Sequence, residues 1–214
     1  VLVVVPAMLS APGSARALAR QLERHHLANR EAHAQFAMLT DFSDADSAQC
    51  AGDADRLAEA IAAIDRLESL YPPDRHDGTP APRRFLLLHR ERCWSETEQR
   101  WIGWERKRGK LEQLIDLLAG GSAKHFIDMG ERSQPARDTP FVVTLDSDTL
   151  LPAGSLRELV GVAAHPLNRP HVDAARGCVV AGYAVLQPRI VTPIPSPEHA
   201  TPFHWLFAGR CGVD

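Results

Sequence analysis

At 214 residues, 44 % hydrophobic and 24 % charged, the chain is long enough to bury one real core and ordinary for a soluble globular domain. Its formal charge of 24 − 27 = −3 lacks the basic footprint of a nucleic-acid-binding domain, and no apolar run approaches the ~18 residues of a transmembrane helix. The four cysteines (Cys50, Cys93, Cys178 and Cys211) lie far apart with no Cys-x-x-Cys, which argues against a zinc site or a disulfide framework and for a reduced compartment.

The opening "VLVVVP" is apolar and β-branched and closes on proline, the pattern of a strand buried in a sheet. Residues 14–29 carry leucines at helical spacing, with Ser14 placed to cap them. "QFAMLTDF" predicts a second strand ending at Asp41, and "DADRLAEAIAAIDRLESLY" an amphipathic helix with Leu57, Ile61, Ile64 and Leu67 on one face. Residues 72–84 are rich in proline and read as a loop, "RFLLLHR" as a third strand. "WERKRGKLEQLIDLLAGG" predicts a helix stopped by Gly120 and Gly121, followed by a loop over 122–139. Phe141–Leu145 is the fourth strand, "AGSLRELVGVAA" a helix, and "AGYAVLQPRI" a fifth strand before a proline-rich loop. Alternating strands and helices predict an α/β fold, with a mostly parallel sheet covered on both faces. One domain over 1–214 is expected. The start on a strand, without Met or signal peptide, suggests a piece cut from something longer.

Chemistry concentrates where the strands end, because open α/β sheets bind ligands beyond the carboxyl ends of their strands. Pro6-Ala7, Thr40-Asp41 and Asp146-Ser147-Asp148 stand at three such ends. The chain holds three Asp-x-Asp pairs, at 44/46, 53/55 and 146/148. The first two fall in a polar loop and at a helix start, where solvation or capping accounts for them; only Asp146/Asp148 ends an apolar strand. Crowded carboxylates favour a cation, and hard cations such as Mg²⁺ or Mn²⁺ take oxygen ligands and share them with phosphates. Arg106, Lys107, Arg108 and Lys110 crowd a helix start against the macrodipole, which a bound anion would relieve and a solvated face would tolerate. Trp101 and Trp104 read as core or groove wall.

Three other readings bear on "LDSDTLL". A haloacid-dehalogenase-type phosphatase shares its Asp-x-Asp-x-Thr opening, but places it near the domain start and needs a later acidic pair, which the residues after 148 do not supply. A dinucleotide-binding Rossmann domain needs Gly-x-Gly-x-x-Gly after the first strand, where "PAMLSAPGS" stands. A non-catalytic nucleotide-sugar-binding module stays open.

The segments "VVVPAML", "LERHHLANREAHAQFAMLTDFSDA", "RWIGWERKRGKLEQL", "FVVTLDSDTLLP", "AHPLNRP" and "GYAVLQPRI" together resemble the glycosyltransferase domain of cyclic β-1,2-glucan synthases (glycosyltransferase family 84), and more distantly the processive family 2 enzymes. The resemblance implies a GT-A fold, a UDP-glucose donor, a β-1,2-glucan acceptor and inverting transfer. It also implies a place on the cytoplasmic face of a large bacterial inner-membrane protein, whose remainder is a partner in cis. By position it implies that Pro6 and Ala7 line the nucleotide pocket, that Asp41 faces uracil or ribose, and that Lys110 lies near the diphosphate. It further implies that Asp146 and Asp148 hold the Mg²⁺ or Mn²⁺, Asp148 more directly, and that Gln187 and Arg189 flank the sugar or acceptor. The catalytic base and the acceptor motif of such enzymes are not found before Asp214, so the base is expected beyond it and the fold is expected to be truncated at the C-terminus; Glu198 and Asp214 are the only acids after Ile190.

Overall fold

The computed structural model describes residues 1–73, 81–190, 198 and 200–202. Two compact units are distinguished, Val1–Val160 and Gly161–Asp214, and each is described by itself.

The first unit is built on a parallel sheet. Strands β1 (Leu2–Leu9), β2 (Gln35–Phe42) and β3 (Phe85–Arg90) follow one another across it, and β6 (Val142–Thr144) returns to the other side of β1, giving the order β3-β2-β1-β6. Between them run the helices α1 (Ser14–Ala28), α2 (Asp53–Leu70) and α3 (Arg106–Leu118), and a short antiparallel hairpin, β4 (Cys93–Ser95) with β5 (Arg100–Ile102). The α/β reading with a parallel sheet holds. The hairpin was not foreseen, because three-residue strands carry no resolvable period.

Period-2 alternation divides the sheet's side chains between two cores. Val3, Val5, Phe36, Met38, Phe85 and Leu87 face α1 and α2, together with Leu156 of α4 (Ser155–Ala164). Leu2, Val4, Ala37, Leu39, Leu86 and Leu88 face α3 through Leu114, with Phe126 alongside. Burial on both faces explains why these strands read as continuous apolar runs. The segment predicted as a loop over 122–139 covers the open edge of β3: Ile127 N–H donates to His89 O and Leu87 N–H to Arg132 O, both at 2.8 Å. Arg132 is tied to Asp65 of α2 by paired bonds of 2.8–3.0 Å, which fixes the cover in place.

The helix ends differ from expectation in one respect. Ser14 is not the cap of α1; its hydroxyl donates to Ala11 O, and Gly13 occupies the cap position at φ 84°. The anion at this N-terminus comes from α2 instead, where Glu59 accepts from Gly13 N–H at 3.0 Å and pairs with Arg16. The stop of α3 is as read: Gly120 turns left-handed and Gly121 N–H reaches back to Asp116 O at 2.8 Å.

The fifth strand over 181–190 is overturned. In the second unit β7 (His171–Asp173) and β8 (Cys178–Ala181) form an antiparallel hairpin, and the chain from Gly182 to Ile190 is irregular. Gly182 takes φ 71° and packs so tightly on Arg169 O that a Cβ would lie 2.0 Å from it, which turns the chain out of β8. Beyond it Val185 and Ile190 stand mostly exposed, and Pro188 has no N–H for a ladder. An apolar run becomes a strand only where a partner strand receives it.

Candidate active site at the carboxyl edge of the sheet

The strand order reverses at β1: β2 and β3 lie to one side of it and β6 to the other. Such a switch point opens a crevice between the diverging connections, where α/β sheets take their ligands. Its position along β1 is set by chemistry. Leu145 N–H donates to Val4 O, so Val4 turns its backbone toward β6, and the next residue on that side is Pro6. Pro6 has no N–H to give, and the β1–β6 ladder ends at Val4–Thr144.

Beyond that point the row across the sheet turns polar. Asp41 lies opposite Met8 of β1 and Arg90 of β3 in register, on the α3 side of the sheet. Its carboxylate is 2 % exposed and accepts from Arg90 Nη2 and Lys110 Nζ, both at 2.8 Å. Lys110 also donates to Ala7 O at 2.6 Å. Three predicted site residues, Ala7, Asp41 and Lys110, are thus joined by direct hydrogen bonds, with Pro6 buried beside them. Burial pulls the Lys110 ammonium below its ordinary range, and the Asp41 charge and hydrogen bond oppose this.

Arg90, which the sequence reading left out, is the hub of this cluster. Its Nη1 donates to Trp104 O at 3.1 Å and Gln113 Oε1 at 2.8 Å, and its Nη2 donates also to Arg106 O at 3.2 Å. These bonds hold the entry to α3, where Glu105 and Arg106 take left-handed φ of 49° and 44°, unusual for side chains of this size. Gly109 completes the mount, since a Cβ there would lie 2.2 Å from Trp104 O. Gly103 is needed for a like reason: its Cβ would lie 2.2 Å from Asp41 Oδ2. One carboxylate with two cations leaves this cluster with one uncompensated positive charge, nearly out of water. Such a charge is costly unless an anion meets it. A groove of about 1040 Å³ opens beside Arg90 and Trp104, along the outer side of α3. None of the predicted site residues Pro6, Ala7, Asp41, Lys110, Asp146 and Asp148 lines it.

On the opposite face of the sheet the same edge carries Thr40 and His89, whose Oγ1 and Nδ1 are 2.8 Å apart. His89 is fully buried against Phe42, and burial pushes it down to about 4. Asp53, read as a solvated or capping carboxylate, is in fact buried and bridged by Arg92 at 2.6 Å, while also accepting from Cys50 N–H at 2.8 Å. Burial would raise its pKa, but the hydrogen bonds from Arg92 and Cys50 prevail and hold it below the usual carboxylate range. Arg92 donates further to Ser43 O and Ala48 O, so the stretch after Asp41 is pinned to the end of β3.

Asp146 and Asp148 follow β6 on an exposed turn closed by Thr149 N–H to Asp146 O at 3.0 Å. Gln21 of α1 steadies the turn by donating to Asp146 O and Thr149 O, each at 3.3 Å. Lys107 Nζ is ion-paired with Asp146 Oδ1. Each cation that crowds the start of α3 has a carboxylate: Arg106 has Asp44 and Glu98, Lys107 has Asp146, Arg108 has Glu105 and Lys110 has Asp41. Among the described residues no three His, Cys, Asp or Glu side chains form a metal cage. Two exposed carboxylates fit a hard divalent cation that draws its other oxygens from phosphate and water, and Lys107 shows that a positive charge is accommodated there. Gln187 and Arg189 lie exposed on the irregular segment of the second unit, and Asp214 lies outside the described residues.

Over 213 residues, all of this chain, the sequence is 39 % identical to the cyclic beta-(1,2)-glucan synthase NdvB of Rhizobium meliloti (strain 1021). The chain is similar to a segment of a glucan synthase. It spans 7 % of that relative's length, and no family model matches it. This likeness extends through the Asp41 strand, the start of α3 and the Asp-x-Asp turn alike, so the cluster described above sits wholly inside the shared segment. No helix among the described residues is long and apolar enough to cross a membrane.

Proposed function

We propose that this chain is the donor-binding part of a GT-A-type glycosyltransferase domain, which takes UDP-glucose with Mg²⁺ or Mn²⁺ for inverting transfer to a β-1,2-glucan. The remainder of a membrane-associated synthase is then its partner in cis, and the domain faces the cytoplasm. The observation that carries the reading is the polar row at the switch point. Asp41, Arg90 and Lys110 form a buried cluster with one positive charge to spare, and Asp146 and Asp148 stand beyond the neighbouring strand. That arrangement suits an anion on one side and a cation bridging to it on the other.

In this reading Asp41 is oriented by Arg90 to meet the uracil or ribose, and the nucleotide lies against Pro6 and Ala7. Lys110, positioned by Ala7 O, offers a charge-assisted contact toward the diphosphate. Asp146 and Asp148 hold the divalent ion, which when bound supplies Lewis-acid stabilisation of the charge on departing UDP.

The test is calorimetric titration of UDP and UDP-glucose with and without Mn²⁺. Binding should require the cation and be lost in Asp148→Ala. Equal UDP affinity of that variant in Mn²⁺ would remove the metal assignment, and phosphate-ester hydrolysis indifferent to uridine would install the phosphatase reading instead.

A further inference from the structure

Lys107 differs from the other cations at the start of α3. The carboxylates opposite Arg106, Arg108 and Lys110 belong to the 41–44 segment, the β4–β5 turn and the helix entry itself. The carboxylate opposite Lys107 is a candidate metal ligand. Both ends of this pair rest on fixed mounts. The backbone around Lys107 is held by Arg90 on the carbonyls of Trp104 and Arg106, and by the seat of Gly109 on Trp104 O. The Asp146 turn is held by Gln21 through its backbone carbonyls, which leaves the carboxylate itself unclaimed by α1. The Lys107 side chain is half exposed and ends a flexible four-carbon stem. It is the part of the assembly able to move.

We infer that Lys107 is an exchangeable counter-ion: it holds Asp146 while no divalent cation is present, and passes to the donor's diphosphate when one binds. An ammonium and a divalent cation cannot share one carboxylate oxygen without strong like-charge repulsion. Displaced from Asp146, Lys107 remains on the first turn of α3, on the same side of the crevice as Lys110. A diphosphate bridged to the cation then lies within reach of its flexible stem. The pair would keep two adjacent carboxylates from repelling each other in the empty protein, and would make cation and nucleotide bind in concert rather than singly.

This rests on the reading of Asp146 and Asp148 as the cation-binding pair, and its signature is a pair of opposite signs. In Lys107→Met of the 214-residue chain, Mn²⁺ alone should bind more tightly, by about 2- to 5-fold at low salt, the worth of an exposed ion pair. That gain should shrink as ionic strength rises. UDP in saturating Mn²⁺ should bind about tenfold more weakly, the worth of a hydrogen bond between charged groups. Lys107→Arg, which keeps the charge, should bind Mn²⁺ as wild type does. Lys107→Met that binds Mn²⁺ no more tightly, or UDP no more weakly, than a wild-type chain that binds both overturns the exchange and leaves the donor site standing. A wild-type chain that binds neither Mn²⁺ nor UDP overturns the donor site and the exchange together.

Discussion

Asp41 is the residue on which this edge of the sheet depends, and its two cationic partners make its loss asymmetric. Asp41→Asn leaves Arg90 and Lys110 buried without a counter-charge, whereas Lys110→Met still leaves the Asp41–Arg90 pair intact. We expect Asp41→Asn to cost about 3–5 kcal/mol in urea unfolding and Lys110→Met clearly less; equal losses would mean that Arg90 alone does not compensate Asp41. His89 supplies a pH dependence of known sign. Its folded pKa, about 4, lies below the ~6.5 of an unfolded histidine. The unfolded chain therefore takes up a proton that the folded chain refuses. Stability is full above pH ~6.5 and falls toward pH 4, by about 3 kcal/mol in all. Urea titrations of wild type and His89→Gln should converge over that window; a constant difference would remove His89 as the cause. At this scale the sequence showed Asp41, Lys110, Asp146 and Asp148, because a carboxylate after an apolar strand and a lysine in a basic run are visible in one dimension. Arg90 was hidden, and Lys107 was visible only as one of four cations at a helix start, since their individual roles depend on which residue lies across from them.

Among the elements, α3 carries most of the site and its glycine is the sensitive point. Gly→Ala inside a helix ordinarily stabilises by roughly 0.5–1 kcal/mol. At Gly161 of α4 nothing lies within 4 Å of the added carbon, so Gly161→Ala should follow that rule. At Gly109 the carbon would strike Trp104 O, so Gly109→Ala should destabilise instead, by about 1–3 kcal/mol, and weaken UDP binding through displaced Lys107 and Lys110. Thermal melts of the two variants should move in opposite directions; a stabilised Gly109→Ala would show that α3's first turn yields freely. Strands β1–β3 and helices α1–α4 were legible because their apolar periods run for four residues or more, and β6, itself three residues, because it lies within the longer run Phe141–Leu145. What escaped was of two kinds. The β4–β5 hairpin was too short to show a period, and the segment 182–190 had a strand's composition with no strand to pair with. Ser14 misled for a third reason: the side-chain acceptor that it was expected to supply as a cap comes from Glu59, on another helix.

Across the first unit, the sheet joins partners of very different separation in the chain. β1 meets β2 after about one helix's length of sequence, but meets β6 only after most of the unit has been made: Leu2 pairs with Gln35 on one side and Val142 on the other. Closing the longer loop costs more chain entropy and is rewarded by only three paired residues. The order of assembly should follow. β1, β2 and β3 with α1 and α2 form the nucleus, and β6 docks afterwards. Met38→Ala, on the face that packs against α1 and α2, should then slow refolding, while Val143→Ala should leave the refolding rate nearly unchanged and speed unfolding; stopped-flow chevrons separate the two, and slowed refolding in Val143→Ala would place β6 in the nucleus. Before β6 arrives, the stretch Leu2–Val5 presents a bare, uncharged, β-branched ribbon to other molecules in the same condition. Yield on dilution from urea should therefore fall steeply with protein concentration, and a charge on the β6 residue that pairs with this ribbon, as in Val143→Lys opposite Val3, should prolong the vulnerable interval instead of protecting it.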